Sequence, residues 1–236
     1  MKPIKTFVFD MDGTLLDSMG AWQRVDFEII QDLGIPSNEV NFNKIITYGL
    51  SRLLEGFRQE WKVVISEEEF IDRSYSKMNK WYEKEARILP GVGNALKEIR
   101  EMGCPIIVAT ATPREMAKIG LKSTGLWEMI DLLYSTSEDG LSKNEPGYFQ
   151  RLEEKSASSS EEMVLFDDAL YSLVTARACG WYTVGIRDRS YPQDWEKIKC
   201  QADEAMDGFS HFYPRKWLSE RRNRLRAENA MAGTLR

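Results

Sequence analysis

The chain has 236 residues, 42% of them hydrophobic, and a formal net charge of −5. This composition is typical of a globular protein and excludes a disordered or collagen-like chain, and no run of about 18 apolar residues is present that would cross a membrane. The acidic balance disfavours nucleic acid as a partner. One histidine excludes histidine-rich metal sites, and three widely spaced cysteines argue against a cysteine-based zinc site and against a disulfide framework. We therefore expect a reducing, cytoplasmic environment.

The predicted strands are short, nearly continuous apolar runs bounded by polar or turn-forming residues. They cover residues 6–10, 106–110, 132–135, 163–167 and 182–186. Runs of this kind are typical of parallel strands that are covered on both faces.

Helical patterns separate the later strands. They lie at residues 92–102, 114–124 and 170–179, and each is followed directly by a glycine: Gly103, Gly125 and Gly180. A glycine at this position is the usual end of a helix. The alternation of strand and helix predicts an α/β fold with a parallel, Rossmann-like sheet and right-handed crossovers.

The segment between the first two strands is far too long for one crossover helix, and it carries only helical patterns. Helices are predicted at residues 17–33, 39–46, 52–61 and 66–85. Ser66 followed by Glu69 forms a capping-box pattern at the start of the last of these helices. The segment therefore predicts an all-helical cap subdomain inserted into the α/β core.

The predicted domain organisation has three parts. Residues 1–16 and 88–212 form the α/β catalytic core, and residues 17–87 form the helical cap. Residues 213–236 form a basic extension, because residues 214–236 carry seven Lys or Arg and only two Glu. Such a segment is usually a solvated helix, and the rival interpretation is an arm that binds an acidic partner or another subunit.

Residues able to do chemistry follow the carboxyl ends of four predicted strands, where functional residues of open parallel sheets gather. They are Asp10 and Asp12, then Thr110, then Lys143, and finally Asp167 with Asp168. Several carboxylates in one cleft raise each other's pKa unless a cation lies among them. For oxygen ligands that cation is Mg²⁺, and Mg²⁺ together with a lysine suits a phosphoryl group.

These residue types predict phosphoryl transfer through an aspartyl-phosphate. We expect Asp10 to attack phosphorus as the nucleophile. Asp12 would protonate the leaving alkoxide and later deprotonate the water that cleaves the intermediate. Thr110 and a nearby backbone amide would hold phosphate oxygens, and Lys143 would offset the charge between Asp10 and the phosphate.

Four ordered motifs carry a family resemblance. They are DMDGTLLDS at residues 10–18, VATATPRE at 108–115, KNEPGYF at 143–149, and FDD at 166–168 followed by ARACG at 176–180. Over residues 4–210 their order and spacing resemble the haloacid dehalogenase-like superfamily, within its β-phosphoglucomutase-like phosphatase branch. Departures from the family's pattern occur at Asn144, Gly147, Ala169 and Ser172, and none removes a predicted catalytic group.

The resemblance implies a magnesium site and a closing cap. Mg²⁺ would be bound by the carboxylate of Asp10, the backbone carbonyl of Asp12 and Asp168, with Asp167 contributing directly or through water. The helical cap would close over the substrate and exclude water until the transfer is complete.

The predicted substrate contacts lie in both the core and the cap. In the core we expect contacts from Thr14, Ala111 and Thr112. In the cap, the sequence GLSR at residues 49–52 resembles the GxSR segment of sugar-phosphate mutases and phosphatases. Gly49 would line the site, and Arg52 would grip a second anionic group of the substrate.

The leading prediction is a Mg²⁺-dependent phosphatase that acts on a small phosphorylated metabolite such as a sugar phosphate, as a monomer without nucleic-acid or membrane partners. One alternative is a phosphomutase of the β-phosphoglucomutase type, which would shield the same intermediate from water. Another is a non-catalytic phosphate-binding or sensor protein. Thr14 favours the hydrolase weakly, because β-phosphoglucomutases usually differ there, and a dehalogenase would not need Asp12.

Overall fold

The computed structural model describes residues 2–36, 40, 50–190 and 192–234, with side chains at all of these except 225 and 228–234. Two sequence predictions fall outside the described residues: the helix at 39–46, of which only Val40 is described, and the substrate contact of Gly49.

The elements alternate as the sequence predicts. The strands are β1 (Thr6–Phe9), β2 (Ile106–Thr110), β3 (Leu132–Ser135), β4 (Met163–Asp167), β5 (Tyr182–Ile186) and β6 (Glu204–Met206). The helices are α1 (Met19–Asp32), α2 (Leu50–Trp61), α3 (Glu67–Lys84), α4 (Val92–Glu101), α5 (Arg114–Ser123), α6 (Thr136–Asp139), α7 (Pro146–Ser156), α8 (Leu170–Ala178), α9 (Trp195–Gln201) and α10 (Pro214–Thr234).

The strands form one parallel sheet in the order β3-β2-β1-β4-β5-β6. This is the Rossmann-like strand order, so the predicted fold class is confirmed. The five predicted strands are confirmed as well, with β1 ending at Phe9 instead of Asp10. The edge strand β6 was not predicted, because its three residues are partly exposed and contain no apolar run.

The chain divides into two compact units. One comprises Met1–Asp17 and Ala86–Arg236 and contains the sheet, and the other is Ser18–Glu85 and contains only helices among its described residues. We call them the sheet unit and the helical unit. No helix within the described residues is long and apolar enough to cross a membrane.

Both faces of the central strands are buried, which explains their continuous apolar sequences. On one face the rings of Phe9 and Phe166 stack with their centroids 4.8 Å apart, and Phe7 stacks beside them. On the other face Val8 and Leu165 belong to a buried cluster that includes aromatic residues of α7. Side chains of a strand alternate between faces, so β1 and β4 are held rigidly up to the residues that follow them.

The first half of α10 packs against the strands of the sheet unit. The indole of Trp217 contacts the rings of Phe7 and Phe166, at centroid distances of 6.3 and 6.0 Å. The guanidinium of Arg221 is buried and lies 4.2 Å from the centroid of the Tyr182 ring. The charge count of this segment predicted a solvated helix. A charge count does not show that the indole of Trp217 and the stacked guanidinium of Arg221 anchor the helix.

The helical unit follows its amphipathic pattern. Helix α1 packs against α3, and its buried residues include Val25 and Ile29, whereas α3 buries Met78 and Tyr82. The side chain of Ser66 caps α3 by accepting a hydrogen bond from the backbone N–H of Glu69 at 3.0 Å, as the sequence predicts.

Candidate active site

The candidate site lies where the strand order reverses. Strand β1 is hydrogen-bonded to β2 on one side and to β4 on the other, and their crossovers run in opposite directions from this point. A crevice opens outside the carboxyl ends of two such strands. Asp10 follows β1 and Asp167 ends β4, and the backbone N–H of Asp10 donates to the carbonyl of Phe166 at 2.9 Å. The two aspartates are therefore placed side by side by the sheet itself.

Lys143 joins these two carboxylates. Its Nζ lies 2.7 Å from Oδ1 of Asp10 and 2.6 Å from Oδ2 of Asp167. All three side chains are buried, with Lys143 only 2% exposed. The lysine lies between α6 and α7, and Pro146 begins α7 three residues later. The loop thus brings an ammonium to the sheet edge from a segment remote in sequence.

The protonation of this cluster follows from burial and mutual charge. Burial alone would lower the pKa of Lys143, but Asp10 and Asp167 outweigh it and hold that pKa well above its usual value. Burial raises the pKa of Asp10 to about 7, Lys143 opposes this rise, and the carboxylates of Asp167 and Asp12 add to it. Lys143 is therefore an ammonium, and it only partly compensates the carboxylates around it.

Asp168 completes a group of carboxylates that could hold a metal ion. Asp10, Asp167 and Asp168 each offer an oxygen, and these oxygens lie within 4.8 Å of one another. Burial, with the charges of Asp10 and Asp167, raises the pKa of Asp168 well above its usual value. Thr14 orients Asp168 by donating from Oγ1 to Oδ1 at 3.1 Å. Clustered oxygen ligands whose ionised forms repel each other fit a divalent cation such as Mg²⁺.

Asp12 is positioned from the neighbouring strand. Thr112, two residues beyond the end of β2, donates from Oγ1 to Oδ2 of Asp12 at 2.7 Å. Its backbone N–H donates to Oγ1 of Thr110 at 3.0 Å. Gly13, next to Asp12, has φ = 82°, a conformation that favours glycine. The loops after β1 and β2 are thereby tied together.

The loop after β2 is also held by two hydroxyls at the carboxyl end of β3. Ser135 donates from Oγ to the carbonyl of Thr112 at 2.7 Å, and Thr136 donates to the carbonyl of Ala111 at 3.1 Å. Ala111 itself is exposed, whereas Thr110 and Thr112 are buried. Thr112 is occupied with Asp12, so its predicted role as a substrate contact stays a prediction.

Two groups that hold Asp167 were missed by sequence reasoning. Ser172, which is fully buried, donates from Oγ to Oδ2 of Asp167 at 2.7 Å. The backbone N–H of Ala169 donates to Oδ1 of the same carboxylate at 2.8 Å. Ser172 was noted only as a departure from a family pattern. Its position on the first turn of the helix after the acidic pair was the signal that could have found it.

The predicted cap contacts belong to the helical unit. Arg52 is exposed on α2 in the helical unit, and Gly49 lies outside the described residues. Both stay predictions. The residues that the structure brings together are those of the sheet unit: Asp10, Asp12, Thr14, Thr110, Thr112, Lys143, Asp167 and Asp168.

A family model described as a haloacid dehalogenase-like hydrolase matches residues 4–180. Hexitol phosphatase B of Escherichia coli (strain K12) is 26% identical over 180 residues, covering 75% of this chain and 81% of that protein. Phosphoglycolate phosphatase of Yersinia pseudotuberculosis is 24% identical over 192 residues, covering 78% and 82%. The crystal structure of a putative β-phosphoglucomutase from Thermotoga maritima has the same fold, with a TM-score of 0.70 and 19% identity over 88% of this chain and 95% of that one.

Proposed function

The chain belongs to the haloacid dehalogenase-like hydrolase family, and from this premise we propose that it is a phosphatase that hydrolyses a small phosphorylated metabolite through an aspartyl-phosphate on Asp10. The observation that carries the proposal is the buried contact of Lys143 with both Asp10 and Asp167 at the switch point of the sheet. The phosphatase names of the two relatives support the same reaction class.

Magnesium fits the carboxylates of this site. Asp10, Asp168 and the backbone carbonyl of Asp12 would hold the ion, which when bound neutralises charge on the phosphoryl group. Asp167 already accepts hydrogen bonds from Lys143, Ser172 and the N–H of Ala169. Its contribution would therefore be to hold Lys143, or to reach the ion through water.

The first half of the reaction transfers the phosphoryl group to the enzyme. Asp10 attacks phosphorus, a bond forms between its carboxylate oxygen and phosphorus, and the bond from phosphorus to the leaving oxygen breaks. Asp12, oriented by the hydroxyl of Thr112, gives its proton to the leaving alkoxide. The ammonium of Lys143 lies against Asp10 and stabilises the charge that builds on the phosphoryl oxygens.

The second half restores the enzyme. Asp12, now ionised, takes a proton from water, whose oxygen attacks phosphorus and releases inorganic phosphate from Asp10. Thr110 accepts the N–H of Thr112 at its oxygen, so its own O–H is directed to a phosphoryl oxygen in both steps.

The three free cysteines support the predicted reducing, cytoplasmic environment, which stays a prediction.

The test is phosphate release from a broad panel of phosphorylated metabolites, with Mg²⁺ or with EDTA. We expect metal-dependent release that is lost in Asp10→Asn, because the amide cannot attack phosphorus. Asp207→Asn is the matched control, since this carboxylate is exposed and paired only with Arg187 among the contacts seen for it. It should retain full activity.

Three other results would redirect the proposal. Release that persists in Asp10→Asn would exclude the aspartyl-phosphate. No release from any ester, together with isomerised sugar phosphates, would assign the site to a phosphomutase. Stoichiometric phosphorylation without turnover would assign it to a phosphate sensor.

A further inference from the structure

Ser135 has a fully buried hydroxyl group that none of the proposed steps uses. The residue ends β3, and its pairing with Thr110 is the last pair in register between β2 and β3. Residues beyond this pair lie outside the ladder of hydrogen bonds that fixes the two strands. The loop after β2, which carries Thr112, therefore needs other partners to keep one position.

All three polar groups of Thr112 are hydrogen-bonded. Its N–H donates to Oγ1 of Thr110 at 3.0 Å, and its carbonyl accepts from Oγ of Ser135 at 2.7 Å. Its own Oγ1 donates to Oδ2 of Asp12 at 2.7 Å. Thr112 is buried, so water competes little for these bonds. Ser135 and Asp12 are thus joined through a single buried residue.

The hydroxyl of Ser135 is fixed from its other side as well. Its oxygen accepts the backbone N–H of Ser137 at 3.2 Å and lies 2.9 Å from the Ser137 hydroxyl. Ser137 in turn accepts the backbone N–H of Arg114 at 3.2 Å, and Arg114 begins α5 directly after the loop. The loop is therefore held by side chains from the end of β3, and a change at Ser135 reaches Thr112 directly.

We propose that Ser135 is a positioning residue for proton transfer: through Thr112 it holds the carboxyl of Asp12 where it protonates the leaving oxygen of the ester. The inference rests on the proposed phosphatase function. In a protonated carboxyl the carbonyl oxygen is the acceptor, so the contact of Thr112 with Oδ2 leaves the proton on Oδ1. The O–H bond of Asp12 breaks as the bond from phosphorus to the leaving oxygen breaks, and the proton passes to that oxygen.

This role affects some esters and not others, because a proton is needed only where the leaving oxygen is a strong base. An alkyl ester releases an alkoxide, which must be protonated as it leaves. Acetyl phosphate and p-nitrophenyl phosphate release anions that are stable in water. A displaced Asp12 should therefore slow phosphoryl transfer from alkyl esters and spare the two activated esters, whereas a distorted phosphate site would slow all of them.

The experiment measures kcat/KM, which reports the transfer to Asp10 and not the later hydrolysis of the intermediate. The substrates, all with Mg²⁺, are acetyl phosphate, p-nitrophenyl phosphate and the alkyl ester of the broad panel that the wild type hydrolyses fastest. The variants are Ser135→Ala, Thr112→Val, the double variant of these two, and Thr112→Ser, which keeps the hydroxyl. Ser156→Ala is the matched control, because Ser156 also donates to a backbone carbonyl but ends α7, at the opposite end from the loop of Lys143.

We expect Thr112→Val to lower kcat/KM for the alkyl ester by about tenfold to hundredfold, because a small displacement of the acid weakens proton transfer. Ser135→Ala should lower it by about threefold to tenfold, since Thr112 keeps its own hydroxyl. Both variants should stay within about twofold of the wild type on the activated esters. The double variant should be no slower than Thr112→Val, because Ser135 acts through that residue. Thr112→Ser and Ser156→Ala should match the wild type.

The outcomes separate this inference from the function on which it rests. Wild type that releases phosphate from none of these esters or of the broad panel overturns the phosphatase itself. Equal losses on alkyl and activated esters in Ser135→Ala overturn the inference alone, since they would show a general role in shaping the site. So does a double variant whose loss is the product of the two single losses, which would show independent effects.

Thermal melts check that each variant is folded. If Ser135→Ala does not fold, Ser135→Cys replaces it, because a thiol fills the same space with a much weaker donor. The same selective loss on the alkyl ester is expected, and an equal loss on all three esters overturns the inference.

Discussion

Each unit of the molecule contains a lysine held between two carboxylates, in opposite environments. In the sheet unit Lys143 lies 2.7 and 2.6 Å from Asp10 and Asp167, and its side chain is 1% exposed. In the helical unit Lys77 lies 2.9 Å from Glu28 and 3.4 Å from Asp32, and its side chain is 32% exposed. The bonding is alike, so any difference in its effect comes from the surroundings.

The two lysines differ in how strongly water screens their charges. Water solvates the ion pairs of Lys77, and such pairs contribute little to stability. The cluster of Lys143 has lost that solvation, and two of its carboxylates have raised pKa values. A hydrophobic cluster of the same volume would stabilise the fold at least as well. Stability therefore does not explain why these charges are buried at the strand switch point, whereas a catalytic role does.

Replacing each lysine with alanine should give the largest difference in stability between the two clusters. We expect Lys143→Ala to lower the free energy of unfolding by about 3–5 kcal/mol in the presence of EDTA, because it leaves buried carboxylates without a counter-charge. Lys77→Ala should change it by less than about 1 kcal/mol. Urea denaturation at neutral pH measures both. Similar losses of stability in the two variants would contradict the argument that burial makes the charges of Lys143 harder to leave unpaired than those of Lys77.

Magnesium should stabilise the sheet unit and leave the helical unit unchanged. Binding to Asp10 and Asp168 would stabilise the sheet unit by about 2.7 kcal/mol at a hundred times the dissociation constant. Hydrogen exchange should slow at the amides of β1 and β4 and stay unchanged in α1 and α3. The control is Asp168→Asn, in which this protection should be lost. Equal protection of both units would place the ion elsewhere.

The partly buried Asp26 of the helical unit should make the stability of that unit depend on pH. Burial raises the pKa of Asp26 to about 6. The folded state therefore holds this proton more tightly than the unfolded state, and stability from this group falls as the pH rises from about 4 to about 6. Asp26→Asn should match the wild type near pH 4 and exceed it by about 1–2 kcal/mol at pH 7, after allowance for solvent screening. Urea titrations of the wild type and Asp26→Asn across this range measure the difference, and a difference that stays constant with pH would contradict the prediction.

Two serines give the finest comparison. Ser66→Ala removes the cap of α3 and should cost about 1 kcal/mol in the helical unit, without affecting the protonation of the sheet unit. Ser172→Ala should cost about as much, because Asp167 loses one hydrogen bond. It should also slow phosphate release severalfold, since Asp167 holds Lys143 against Asp10. Thermal melts and kcat distinguish them, and unchanged turnover in Ser172→Ala would remove it from the site.

The sequence predicts the site residues of the sheet unit better than those of the helical unit. In the sheet unit Asp10, Thr110 and Asp167 lie at the carboxyl ends of apolar strands. Parallel strands end at one edge of a sheet, so these local patterns were enough to place the three residues together. In the helical unit a residue such as Arg52 is placed by amphipathic helices, whose pattern specifies a buried stripe and leaves the exposed face open. The prediction for Arg52 accordingly rests on resemblance.

The elements, their alternation and the residue types at the strand ends follow from the sequence alone, because strand and helix periods are local properties of the chain. Which side chains contact each other depends on the tertiary structure. Lys143 contacts Asp10 although 133 residues separate them in the sequence, and no local sequence pattern predicts such a contact. The same holds for Trp217, whose ring contacts tie a basic helix to the sheet, and for Ser172, which reaches Asp167 only because α8 starts where β4 ends. Hydrogen bonds and ring contacts of this kind depend on how distant segments pack, and that is set by burial over the whole unit.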